Sequence, residues 1–131
     1  MPPTVAAAAL AAATLASVCS GWHSAAIGFY PGVVESAGEK AIDTWITIAP
    51  DGRLQGRYVL HEPDRDVPGV LAPVGDADCG VGLFRWTDLY GTGLAQLNFY
   101  PERRCFEGAW GGQTINPVLV WHACVRERVT S

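Results

Sequence analysis

The run Phe84-Arg85-Trp86-Thr87-Asp88, with Tyr90 just beyond it, is the part of this 131-residue chain best furnished for chemistry. Read as a strand, it puts Phe84, Trp86 and Asp88 on one face and Leu83, Arg85 and Thr87 on the other. A carboxylate beside Trp and Tyr at a strand end offers a flat stacking surface with an acceptor, which suits a carbohydrate or a small polar ligand. The same residues have a plainer use. Trp86 can be core, Asp88 can cap the turn before Gly91, and Arg85 can pair with an acid across the strand.

Other constellations are thinner. His61, Glu62, Asp64 and Asp66 bring nitrogen and oxygen ligands together, but they match no calcium loop and Pro63 interrupts them. That pattern reads as a solvated loop. His23, His61 and His122 fall on separate segments, and only ring closure could bring His23 near His122, so no zinc site is expected. The serines after residue 18 (Ser20, Ser24, Ser36 and Ser131) sit in no nucleophile elbow. Carboxylates for glycoside chemistry could be drawn from Asp43, Glu62, Asp88 or Glu107, with no sequence reason to pair any two. A small hydrolase or isomerase would need an ionisable pair such as Asp88 with Arg85 or His122 in one cavity. The expectation is therefore a protein that is not an enzyme, with no catalytic residue, metal or cofactor.

These residues must be positioned by strands. Alternation over 42–49 sets Ile42, Thr44, Ile46 and Ile48 against Asp43, Trp45 and Thr47. After the turn Pro50-Asp51-Gly52, residues 53–61 set Leu54, Gly56, Tyr58 and Leu60 against Gln55, Arg57, Val59 and His61. Further strands are expected over 21–30, closed by Pro31-Gly32, and over 68–74, where Pro68 and Pro73 imply an edge or irregular strand. The rest fall at 80–88, 93–100, 104–110 and 117–126. Eight short, evenly spaced strands predict an all-β, antiparallel up-and-down meander closing into a small barrel. Gly 15, Pro 9, Trp 5 and Tyr 4 agree with it. There is also an internal echo. Trp45-Ile-Thr-Ile, a turn and Leu54-x-Gly-x-Tyr58 match Gln96-Leu-Asn-Phe, a turn and Phe106-x-Gly-x-Trp110. A glycine at mid-strand in both hairpins implies a sharp bend, or an aromatic ring packed over bare backbone.

The stretch Asp51-Gly-Arg-Leu-Gln-Gly-Arg-Tyr58 resembles the Asp-Gly-x-Leu-x-Gly-x-Tyr strand of the avidin and streptavidin family. Phe106-Glu-Gly-Ala-Trp110 and Val120-Trp-His-Ala-Cys-Val-Arg126 resemble the last strands of small exported bacterial barrels of calycin type. The resemblance implies that Tyr58 is a ligand contact and that Trp86, Trp110 and Trp121 are candidate aromatic walls. Leu60 stands where that family has a small hydroxyl residue, and the later Ser/Thr spacing is missing. The fold therefore carries over and biotin binding does not.

Residues 1–18 are uncharged and Ala-rich, too short and too weakly apolar for a membrane span, and read as a secretory signal peptide without the usual basic start. Residues 19–131 then form a single barrel domain, periplasmic or extracellular. Cys19 is also where a lipid anchor would attach, although Val18 is bulky for that cleavage. With Cys79, Cys105 and Cys124 it makes four cysteines without a CxxC pair. Ring closure favours Cys19–Cys124 with Cys79–Cys105, and loss of Cys19 would favour Cys105–Cys124. The net charge of −4 lacks any basic stripe, so nucleic acid is not an expected partner.

An eight-stranded ring is either filled by its own side chains or just wide enough for one small ligand. The first expectation is a binding module for a small apolar or aromatic-stacking ligand, held by Tyr58, Trp86, Asp88, Trp110 and Trp121. The alternative is a plugged barrel that meets a protein partner through its loops and outer aromatics such as Trp45, as inhibitor, adaptor or envelope component. A cavity lined by Trp86 and Tyr58 separates the two.

Overall fold

The computed structural model describes residues 21–75 and 78–126, so the expected leader and Cys19 lie outside the described residues. A single helical turn, α1 (Trp22–Ala26), leads into eight strands: β1 (Gly28–Glu35), β2 (Glu39–Ile48), β3 (Leu54–His61), β4 (Asp66–Pro73), β5 (Val81–Asp88), β6 (Gly91–Tyr100), β7 (Cys105–Gly111) and β8 (Ile115–Cys124). Each is antiparallel to the next, and β8 returns to β1 to close the barrel. Closure gives every strand two neighbours, which is why eight short strands with little helix can stand alone. Among the described residues no helix is long and apolar enough to cross a membrane.

The interior is layered. Tyr30, Phe84, Phe106, Ile46 and Leu71 fill the lower half with almost no exposed surface. The Tyr30 and Phe106 rings lie 5.1 Å apart and Phe99 packs 5.7 Å from Phe106. Across that end lies α1. Trp22 sits 6.0 Å from Phe99, and the buried Tyr30 hydroxyl donates to the Ala26 carbonyl at 2.6 Å. Burial pushes the Tyr30 phenol up to about 12, with Arg104 partly opposing it, so it stays a donor at any physiological pH. The lower end is plugged.

Several elements differ from the expectation. The strand expected over 21–30 starts only at Gly28: Trp22–Ala26 form α1, and β1 continues straight through Pro31-Gly32. Pro31 is tolerated because β1 meets β8 only at Gly32–Val34, so it lies beyond that ladder. Likewise β4 is an interior strand, paired with β3 from Asp66 but with β5 only from Val70, which leaves Pro68 outside the second ladder. The disulfide is Cys105–Cys124, not Cys79–Cys105 with Cys19–Cys124. The two cysteines are register partners across the β7–β8 hairpin. Cys79 is itself disulfide-bonded.

The two echo glycines stand where a neighbouring backbone comes close. A side chain on Gly56 would meet the Trp45 carbonyl at 2.8 Å, and one on Gly108 would overlap the Gln96 carbonyl. Bare backbone admits the partner strand's carbonyl at both points. Aromatic rings do cover glycines, but elsewhere: Tyr58 lies over Gly69, Phe84 over Gly82 and Trp86 over Gly93.

Candidate functional site

In a meander every second hairpin opens at the same end. The loops after β1, β3, β5 and β7 therefore share the end opposite α1, and there the barrel holds a cavity of about 470 Å3. Its wall includes all five of the residues singled out in the sequence: Tyr58, Trp86, Asp88, Trp110 and Trp121. Period-two alternation puts each on an inward face; Trp86, Asp88 and Trp110 stand near the upper ends of their strands, with Tyr58 and Trp121 below them. Val34, Ile42 and Leu60 supply aliphatic wall between the rings.

Each aromatic is fixed. The Trp86 indole donates to the Gly111 carbonyl at 2.9 Å and meets Trp110 edge-on at 5.6 Å. Beside Trp110 the β7–β8 register shifts, with 117–119 of β8 left out of the ladder, and the Trp110 indole donates to the Glu35 carbonyl at 2.8 Å. That bond ties β7 to the end of β1 across the top of the short β1–β8 seam. Trp121 stands 5.3 Å edge-on from Tyr58 and 6.2 Å from Phe106, which makes it the floor between cavity and core. Among the described residues its indole nitrogen and the Thr44 hydroxyl are buried without a hydrogen-bond partner.

Asp88 serves twice. One carboxylate oxygen accepts the Tyr90 backbone N–H at 2.8 Å, the turn-capping role, and the other accepts the Tyr58 hydroxyl at 2.6 Å. Burial, then that hydrogen bond and the Asp88 charge, raise the Tyr58 pKa far above the ordinary phenol value. Tyr58 is therefore a committed donor. Arg85 is exposed on the outer face, and so is His122, opposite Glu107. Neither joins Asp88 in the cavity. His23 lies on α1 against the Gly52 carbonyl at the plugged end, so ring closure does not pair it with His122.

The rim carries a network that the sequence reading left as a solvated loop. Lys40 bonds Glu62 at 3.1 Å, the Tyr90 hydroxyl donates to Glu62, and Arg65 donates to the Tyr90 oxygen at 2.9 Å. The hydrogen bond from Tyr90, then that from Lys40, holds the Glu62 carboxyl below its usual range. These residues come from the start of β2, the β3–β4 loop and the β5–β6 loop, far apart in sequence. The rule that alternate hairpins share an end could have gathered them.

Just outside, His61 bridges β2, β3 and β4, with Nε2 at 2.8 Å from Asp43 and Nδ1 at 2.8 Å from Asp66. Among the described residues no group of His, Cys, Asp and Glu could hold a metal, and this trio acts as an ion pair. Hydrogen bonds to Asp43, then Asp66, raise the His61 pKa. A raised folded value means that the charged ring stabilises fully below about 6.5, and that this stabilisation fades as pH rises through the folded value. Because the group is well exposed, the expected effect is under about 1 kcal/mol. Melting temperature of wild type against His61→Gln should show a small wild-type advantage near pH 6 that shrinks towards pH 9. A constant difference across that range would contradict the assignment.

Compared with known protein families, curated proteins and solved structures, the chain matches none. The site must be read from its own geometry.

Proposed function

We propose that this barrel is a non-enzymatic binding module that takes one small apolar or aromatic-stacking ligand into its open end. The observation that carries the reading is the cavity itself, which Tyr58 and Trp86 line and whose volume lies in the range of small-molecule sites. A barrel filled throughout would favour surface contact with a protein, and here only the lower half is filled. The walls are rigid before any ligand arrives, because Trp86, Trp110 and Tyr58 are each held by a hydrogen bond. Preorganised rings lose little entropy on binding.

We further read the chain as exported, periplasmic or extracellular, and its barrel as calycin-like. The Cys105–Cys124 disulfide fits an oxidising compartment. The eight-stranded up-and-down order supports the likeness drawn from the strand motifs. The outer face offers less. Val118 on β8 is 71% exposed, and Trp45 is flanked by Phe29 and Arg57, enough for a weak contact with a partner.

The test is a panel of small apolar and aromatic compounds, read by melting temperature and tryptophan emission. A true ligand at about a hundred times its Kd should add roughly 2.7 kcal/mol of stability. For a domain of this size that raises the melting temperature by roughly 10 °C. It should also shift Trp emission, since three of the five tryptophans line the cavity. Flat melting curves and unchanged emission across a broad panel would overturn the reading.

A further inference from the structure

We infer that the ligand of this cavity is a small organic ammonium cation carrying an apolar or aromatic body. The inference rests on the reading of the cavity as a binding site and adds the charge of what it binds.

Consider which polar atoms the wall still offers. The N–H groups of Trp86 and Trp110 are used by the Gly111 and Glu35 carbonyls, and the Tyr58 hydroxyl is used by Asp88. Those three donors are spent, and the Trp121 N–H at the floor is the indole donor left unpartnered. Each Asp88 oxygen at the mouth has accepted one hydrogen bond and keeps a further lone pair. The Asp88 side of the wall therefore accepts a donor.

Charge points the same way. The cavity is lined by one cation, Lys40, and two carboxylates, Glu62 and Asp88. Lys40 is paired with Glu62 at 3.1 Å. No ion pair among the described residues involves Asp88, which leaves its charge uncompensated in the wall. Around it stand aromatic residues: Trp86 two places earlier on the same face of β5, Tyr58 bonded to it, and Tyr90 two places later. An ammonium group gains from a carboxylate and from aromatic faces together, and the gain grows where water is excluded.

The described residues are polarised to match. The open end carries Glu35, Glu39, Glu62, Asp64, Asp66 and Asp88 against only Lys40 and Arg65. At the plugged end, among the described residues, Asp51, Asp78 and Glu102 face four arginines. A mouth lined with one sign of charge raises the local concentration of the opposite ion and repels like charge. Carboxylate ligands meet that field and then Asp88. Neutral ones gain nothing from either.

Calorimetric titration of the full chain with three probes of nearly equal size tests this: phenethylamine, 2-phenylethanol and 3-phenylpropionate. The amine should bind at least about tenfold more tightly than the alcohol, with the carboxylate weakest. Asp88→Asn, which keeps the shape and an acceptor for Tyr90, should bring the amine-to-alcohol ratio close to one. Lys40→Gln should widen the ratio. Equal affinity for amine and alcohol in the wild type would overturn the cation assignment while leaving the cavity as a site. A preference that survives in Asp88→Asn would overturn the role of Asp88. No binding of any probe would sink both this inference and the reading beneath it.

Discussion

Gly32→Ala is expected to destabilise the barrel by about 3 kcal/mol, a loss of roughly 10 °C in melting temperature. The added methyl would overlap the His122 carbonyl and the Ala123 Cα and Cβ on the neighbouring strand. Those are backbone and near-backbone atoms, so no side-chain rotation relieves the overlap. The only relief is to move β8 away from β1. That seam is the shortest in the barrel, with register partners only at Gly32, Val33 and Val34, whereas β1 and β2 pair over the full length of β1. A strand pair held over three positions has little reserve when its centre is pushed apart. Gly112→Ala is the control, because a methyl there meets nothing within 4 Å. Equal melting temperatures for the two variants would show that the ring is not held shut at Gly32.

Gly69→Ala acts on the site. A methyl at that position would overlap Tyr58 at ring carbon Cζ and at the hydroxyl. The ring end can move, unlike the backbone at Gly32, but it is buried and packed against Trp121. The direction open to it is the cavity. Displacement costs the Tyr58–Asp88 hydrogen bond and fills part of the binding space. The stability cost should be about 2 kcal/mol. Affinity for any cavity ligand should fall on the order of a hundredfold, the loss typical of a displaced central anchor. Titration of the best ligand against both proteins, well below their melting temperatures, separates the two effects. Unchanged affinity would mean that Tyr58 does not shape the cavity.

What could be read from the sequence was what repeats with period two. Alternation along 53–61 and 80–88 sorted Tyr58, Trp86 and Asp88 onto inward faces, and the count of strands implied a ring. In a closed meander those two facts suffice to bring the aromatics of several strands into one interior. What could not be read depends on partners far away in the chain. Pro31-Gly32 looks like a turn because its local chemistry is that of a turn, and its reason for being glycine lies about ninety residues on, at His122 and Ala123. The turn of helix at Trp22–Ala26 is too short to show a period and is fixed by Phe99 and Tyr30, not by propensity. The cysteine pairing was misjudged by matching chain ends, when hairpin register already placed Cys105 opposite Cys124. The rim network was missed because Glu62, Arg65 and Tyr90 sit in loops, where no period exists, and Lys40 stands at the very start of β2.

The site thus follows from an asymmetry. One end of the ring is closed by α1 and a layer of aromatic and aliphatic side chains, and the other is left open between rings fixed by their own hydrogen bonds. A filled ring would have gained more core. The large residues at the upper level leave space instead of consuming it.

The most direct test of that account is a titration of the protein with a neutral, apolar naphthylamine dye, followed by dye emission and by energy transfer from tryptophan. The account predicts one saturable site per chain, blue-shifted dye emission, efficient transfer, and loss of all three in Gly69→Ala. Absence of saturable binding by a natively folded wild type would contradict it, as would binding that Gly69→Ala leaves untouched.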